Sequence, residues 1–308
     1  MLTQPLCIAA GSWKIVKQHP DFFRLLPQCV HSRNELRDMA WVIVAAAFAA
    51  SPVYRNGRHS PDPRSTELKP IKSYRNPAFM SSDEARPLRI LAEYLEPERR
   101  LAKHGIQDTL VFFGSARLKE GSIYYEAARQ IAFRMTQWSK GLNTDDQRRF
   151  VVCTGGGPGI MEAANRGASE ARGRNVGMTI SLPHEEAANP YITRELSFHF
   201  HYFFMRKFWL AYMAKAILVF PGGFGTLDEL FEMLTLKQTR RMHKPLPIVL
   251  FGNDYWREVI NFDALVRHGT IDAKDVELVH RTDSVDDACE WLMRHLTEEA
   301  LGNPGAML

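Results

Sequence analysis

Between residues 109 and 295 the chain repeats one pattern: a short apolar run, a turn, then a longer stretch with helical spacing. The runs are 109–113 (TLVFF), 150–153 (FVVC), 175–181, 196–204, 216–220 (AILVF), 246–251 and 276–280. The clearest of them lack the polar alternation of a strand with one wet face. They must be covered on both sides, as in a parallel sheet sandwiched between helices. The stretches 122–139, 159–171, 205–215, 226–238, 255–268 and 285–295 read as the helices. A further helix is expected from Ser81, with Asp83 and Glu84 in its first turn and Leu88, Leu91, Tyr94 and Leu95 at helical spacing. The fold class that follows is α/β, a doubly wound parallel sheet with helices on both faces.

The first 75 residues carry no such pattern and read as a basic leader and linker, an N-terminal extension to a domain spanning 76–300, with 301–308 as a tail. Segment 51–76 is rich in Pro, Arg and Ser. Residues 1–80 hold 11 of the 39 Lys/Arg and 5 of the 35 Asp/Glu, so the remainder carries a net charge of −2. That near-neutral body argues against a nucleic-acid partner, which needs a dense basic face. The longest uncharged run, 39–54, has an apolar core shorter than the ~20 residues that span a bilayer. Its 38-residue approach is too long for a signal peptide. Cys7, Cys29, Cys153 and Cys289 form no CxxC pair, which disfavours a disulfide framework or a cysteine zinc site. A cytoplasmic protein with no membrane partner is expected.

In doubly wound sheets ligands bind where strands end. Three strand exits here carry glycine turns: 114–117 (GSAR), 154–159 (TGGGPG) and 221–226 (PGGFGT). Glycine lets backbone N–H groups approach a phosphate, and a following helix N-terminus adds partial positive charge. One such turn is a weak signal, because strand-to-helix turns use glycine for geometry alone. Three converging on one sheet edge point to an anionic ligand, a nucleotide or sugar phosphate. Gly114, Ser115, Arg117, Gly156, Gly157, Lys207, Gly222, Gly223, Gly225 and Thr226 are the candidate substrate-binding residues. No G-x-x-x-x-G-K-[ST] occurs, which excludes a P-loop nucleoside triphosphatase. The 154–160 turn departs from G-x-G-x-x-G at Ile160, which disfavours a dinucleotide and leaves a small mononucleotide.

Behind the third turn stand Asp228, Glu229 and Glu232. Helix-dipole stabilisation accounts for Asp228 and Glu232. Glu229, one turn into the helix, projects toward the anion pocket, where a carboxylate must stabilise positive charge or move a proton. An oxocarbenium-like sugar cation attacked by water needs both. Arg206 and Lys207 begin the helix before the AILVF strand, among Phe203, Phe204, Phe208 and Trp209. A planar guanidinium in such apolar surroundings suits a phosphate or carboxylate.

These residues carry a family resemblance. Segment 221–229 (PGGFGTLDE) matches the PGGxGTxxE motif of the Lonely Guy (LOG) family, nucleoside 5′-monophosphate phosphoribohydrolases often mislabelled lysine decarboxylases. Segment 155–161 (GGGPGIM) matches its other glycine motif, and 111–117 (VFFGSAR) resembles its first strand and turn. The resemblance covers about residues 75–300. It implies a Rossmann-like domain that cleaves the N-glycosidic bond of AMP or a cytokinin riboside 5′-monophosphate, giving free base and ribose 5-phosphate. It places Arg206 and Glu229 at the catalytic positions, with Lys207 beside them, and Gly222, Gly223, Gly225 and Thr226 at the phosphate-binding positions. It also implies a homodimer with sites near the subunit contact. Segment 183–190 resembles bacterial relatives described as AMP nucleosidases, so the base preference stays open between adenine and N6-modified adenine.

Other signals are weaker. His199 and His201 share a strand face but lack a third ligand at convincing spacing, so no metal is expected. Lys244, after His243, would need a pyridinium partner to serve as a pyridoxal-phosphate lysine, and nothing identifies one, so no cofactor is expected. Cys153 reads as a buried strand end. A non-catalytic nucleotide or cofactor carrier on the same fold is the competing reading. A carrier would not need Arg206 and Glu229 together.

Overall fold

Side chains on successive strand residues point to opposite faces, and in this chain both faces are filled. The computed structural model describes residues 70–144, 146–180 and 188–305. Seven strands, β1 (Thr109–Phe113), β2 (Val151–Thr154), β3 (Asn175–Ile180), β4 (Ser197–Phe200), β5 (Ala214–Val219), β6 (Ile248–Phe251) and β7 (His280–Thr282), form one sheet. Every pairing is parallel, in the order β4-β3-β2-β1-β5-β6-β7. Among the described residues, eight α-helices of six or more residues flank it: α1 (Arg86–Lys103), α2 (Ile123–Lys140), α3 (Ile160–Glu170), α4 (Phe203–Met213), α5 (Phe224–Gln238), α6 (Asn253–Val259), α7 (Phe262–Arg267) and α8 (Val285–His295).

Leu110 and Phe112 of β1 enter a core built with α2, α3 and α8, including Ile131, Ile160 and Leu292. Val111 and Phe113 enter the opposite core with Trp209, Leu210, Leu230 and Met233 from α4 and α5. This two-sided burial is why the strands read as unbroken apolar runs. The chain runs outward from β1 to β4, then returns to β1's other side as β5. Strand order thus reverses between β1 and β5, the position where such sheets open a crevice at the carboxyl ends.

Several element boundaries differ from the sequence expectation, each for a local reason. Ser81 does not cap α1. Pro87 is favoured in a first turn, where its missing N–H forfeits no helical hydrogen bond, and the helix begins at Arg86. The expected helix 255–268 is two helices, because the Asn261 side chain accepts Ala264 N–H at 2.8 Å and starts a new one. The expected strand 276–280 falls in a 3-10 helix, Ala273–Leu278, opened by a reciprocal Asp272–Asp275 cap. The strand forms instead at His280–Thr282. The expected strand 196–204 keeps only Ser197–Phe200, and helix α4 starts at Phe203.

Residues 1–69, with Cys7, Cys29 and the 39–54 run, and most of segment 183–190 lie outside the described residues. Among the described residues no helix is long and apolar enough to cross a membrane.

Candidate active site at the strand reversal

Ser115 joins all three glycine turns. Its N–H donates to Pro221 O at 2.9 Å, and its carbonyl accepts Ile160 N–H at 3.1 Å. The turns can close this tightly only because Gly159 is glycine. Its φ of 69° is costly for a side chain, and a Cβ there would lie 2.3 Å from Ser115 O. The second turn rests on a buried polar bed. Thr154 Oγ1 donates to Asn165 Oδ1 at 2.7 Å and accepts Gly156 N–H at 2.9 Å. Asn189 Nδ2 donates to Gly157 O and to Asn165 Oδ1, both at 3.0 Å. Asn165 in turn donates to Asn175 Oδ1 at 3.0 Å, so the amide chain is satisfied link by link.

In the third turn the Tyr255 hydroxyl donates to Gly222 O at 2.5 Å, and buried Thr226 packs against Gly222. Around Gly223 and Gly225 the space is open: a Cβ at either would meet no atom within 4 Å. The chain's own packing does not require glycine there. Arg117 is exposed, and its N–H donates to Ser115 Oγ at 3.1 Å.

Helices α4 and α5 bring Arg206 and Glu229 together, with Arg206 Nη2 donating to Glu229 Oε1 at 3.2 Å and both side chains 14% exposed. Arg206 also reaches the second turn, its Nη1 being 3.8 Å from where a Gly155 Cβ would stand. Its guanidinium lies 5.3 Å over the Phe203 ring, and its buried Nε has no partner among the described residues. Burial is the main force on Glu229 and pushes its carboxyl up to about 7. Arg206 and Lys207 oppose that rise, while Asp228 and Glu232 add to it. Lys207 pairs with Asp228 at 2.8 Å and Glu232 at 3.0 Å. Burial lowers its pKa, but these carboxylates outweigh burial and leave it above the ordinary value. The result is a proton-accepting carboxyl near neutrality beside a fixed cation, rimmed by open backbone.

The other sequence candidates lie elsewhere. Lys244 is buried and donates to Ala211 O at 2.7 Å and Tyr212 O at 2.8 Å, closing the end of α4. Burial is the main cause that pulls it down to about 7. Cys153 is fully buried, which pushes its thiol well above the usual value. His199 Nδ1 lies 2.9 Å from Thr179 Oγ1, and the His201 ring meets Tyr202 edge-on at 4.7 Å.

The family described as "possible lysine decarboxylase" matches residues 161–292. A cytokinin riboside 5′-monophosphate phosphoribohydrolase of Arabidopsis thaliana is 30% identical over 165 residues, covering 52% of this chain and 69% of the relative. The chain belongs to the LOG family. A probable LOG phosphoribohydrolase of Oryza sativa subsp. japonica is 29% identical over 163 residues, 52% of this chain and 61% of the relative. A pyrimidine/purine nucleotide 5′-monophosphate nucleosidase of Escherichia coli K12 is 32% identical over 128 residues, 37% of this chain and 28% of the relative. The chain thus spans less than two thirds of these last two. Among solved structures, a molybdenum cofactor carrier protein from Chlamydomonas reinhardtii is 20% identical over 62% of this chain and 99% of its own, with a TM-score of 0.43. That is too distant a likeness to bear on function. The matched LOG stretch contains Arg206, Lys207, the third turn and Glu229, and excludes the first turn and helix α1.

Sequence reading missed the supports of the site: Asn165, Asn175, Asn189, Tyr255 and, on α1, Glu93. Asn165 carried a usable signal, a lone amide on the apolar face of a helix among Ala163, Ala164 and Ala168. The others act over long separations that no local pattern reports.

Proposed function

We propose that this LOG-family protein is a hydrolase of nucleoside 5′-monophosphates, releasing free base and ribose 5-phosphate from AMP or an N6-modified relative. The observation that carries the reading is the Arg206–Glu229 pair, with a carboxyl raised to about 7, next to glycine turns whose backbone faces open space. The relatives named as phosphoribohydrolases and nucleosidases support it. In this mechanism the N–H groups of the second and third turns, with Gly114, Ser115, Arg117 and Thr226, hold the 5′-phosphate at the start of α5. The C1′–N bond breaks with its electron pair going to the base. Glu229 stabilises the cation left at C1′ and accepts a proton from water, whose oxygen bonds C1′; the departing base takes up a proton from solvent and Glu229 returns its own there. Arg206 anchors the substrate and polarises the departing base. Lys207 holds Asp228 and Glu232 in place beside Glu229.

A homodimer belongs to the same proposal. Phe224 and Phe231, seven residues apart on one face of α5, are 93% and 40% exposed, and Phe203 and Phe204 are exposed on α4. Large apolar side chains gathered on neighbouring helices suit a second copy.

The test incubates the full chain with AMP, GMP, CMP and isopentenyladenosine monophosphate and follows free base by chromatography. Release of adenine from AMP, with adenosine left intact, is expected. Saturable nucleotide binding without release of any base would replace this reading with the carrier.

Gly223→Ala probes the phosphate seat. Gly223 sits at φ −85° and ψ −153°, open to any residue, and the added methyl meets nothing in the free protein. The melting temperature should hold while KM for AMP rises about tenfold or more, a cost near 1.4 kcal/mol. An unchanged KM would remove Gly223 from the seat.

A further inference from the structure

Helix α1 grips helix α4 at two points, both through Glu93. The Glu93 carboxylate accepts the N–H of His201 at 2.8 Å and of Tyr202 at 3.2 Å, immediately before α4 begins. A helix N-terminus leaves such donors without partners, and Tyr202, the N-cap, supplies no side-chain cap of its own. The second point arises from Pro97, inside α1 and four residues after Glu93. Proline has no N–H, so the Glu93 carbonyl loses its helical donor. Trp209 Nε1, from α4, takes the vacant place at 3.0 Å. Arg206 lies between the two grips. Its N–H donates to Tyr202 O at 3.2 Å, and Trp209 follows one turn later. Around this contact Arg89 Nε donates to the Tyr202 hydroxyl at 3.3 Å, and the Tyr94 ring packs 5.6 Å from Phe208 and 5.9 Å from Trp209.

We propose that Glu93 is a positioning residue that fixes Arg206 against Glu229 by holding α4 at two points, the second made available by Pro97. The inference rests on reading Arg206 and Glu229 as the working pair. It concerns a helix outside residues 161–292, where the family model matches.

The charged groups facing Glu229 are Arg206 and Lys207 from α4 and Asp228 and Glu232 from its own helix. Arg206 is the strongest of the two that keep Glu229 ionised, so a retreat of Arg206 must raise the titration point of Glu229. The experiment uses the full chain and two variants. Glu93→Asp keeps the charge but shortens the reach by one methylene. Pro97→Ala restores a backbone N–H that competes for the Glu93 carbonyl, and it improves helix propensity, so it is expected to fold. The readouts are the carboxyl carbon-13 titration of Glu229, assigned with Glu229→Gln, and the acidic limb of kcat/KM for AMP. Both variants should move the titration upward by about half a unit to one unit, with the acidic limb following. A wild-type titration in Pro97→Ala overturns the clamp, and that variant alone decides if Glu93→Asp does not fold. Should the wild-type protein release no base, the functional reading fails, while the titration still decides the clamp.

Discussion

Glu229→Gln lowers kcat for AMP by about 10²–10⁴-fold, the range attributed to a positioned acid–base group, while the dissociation constant for AMP moves by less than about threefold. The substitution keeps a hydrogen-bond acceptor for Arg206 Nη2 and the volume of the side chain. It removes the negative charge and the proton-accepting oxygen together. Wild-type kcat/KM should fall about tenfold per pH unit below a limb near 7, because protonated Glu229 can neither stabilise C1′ nor receive a proton. In Glu229→Gln that limb disappears. The same raised pKa has a consequence for folding. Native Glu229 holds its proton to about 7, against about 4.5 in the unfolded chain. Stability from this group is therefore present at low pH and declines as pH rises through that window. At pH 8 the ionised carboxylate costs about 3 kcal/mol. Glu229→Gln should gain in melting temperature relative to wild type more at pH 8 than at pH 5. Undiminished turnover in this variant would eliminate Glu229 from the mechanism.

Asp108→Ala should cost about 3–5 kcal/mol, the range for leaving a buried charge without its partner. Asp108 has no exposed surface. Its Oδ2 accepts Arg149 Nε at 2.7 Å, and its Oδ1 accepts the N–H of Phe150 at 2.6 Å. Phe150 sits at φ 52°, a left-handed conformation that a bulky side chain adopts only when held. Arg149 carries the tie onward, donating to Leu301 O and Ala300 O, each at 2.8 Å. Lys215, also buried, depends on the same carboxylate for its counter-charge. Removing Asp108 thus releases the start of β2, the end of the described chain and two cations at once. Urea unfolding measures the loss, and a change below about 1 kcal/mol would refute the role given to the pair.

The strands were legible because two-sided burial writes itself into sequence as unbroken apolar runs. The turns were legible because close backbone approaches demand glycine at fixed places. Arg206 and Glu229 stood out as polar groups among apolar neighbours. The helix boundaries were less readable. Where α4 begins is set by the Glu93 carboxylate, more than a hundred residues earlier, and nothing near residue 203 reports it. Asp108 and Arg149 carry no local signal, since their meeting depends on the pairing of β1 with β2. Nothing around Pro97 reports that its missing donor is what another helix uses.

The pair of hydrogen bonds at Ser115 bears on how a ligand is received. Because one residue fastens the first turn to both others, none of the three can swing outward alone. A phosphate arriving there meets donors already aimed, and little conformational freedom remains to be lost on capture. Recognition should therefore resemble a key entering a cut lock: rapid association, a modest entropy penalty, and Ser115 and Ile160 amides equally protected from exchange with the pocket empty or filled.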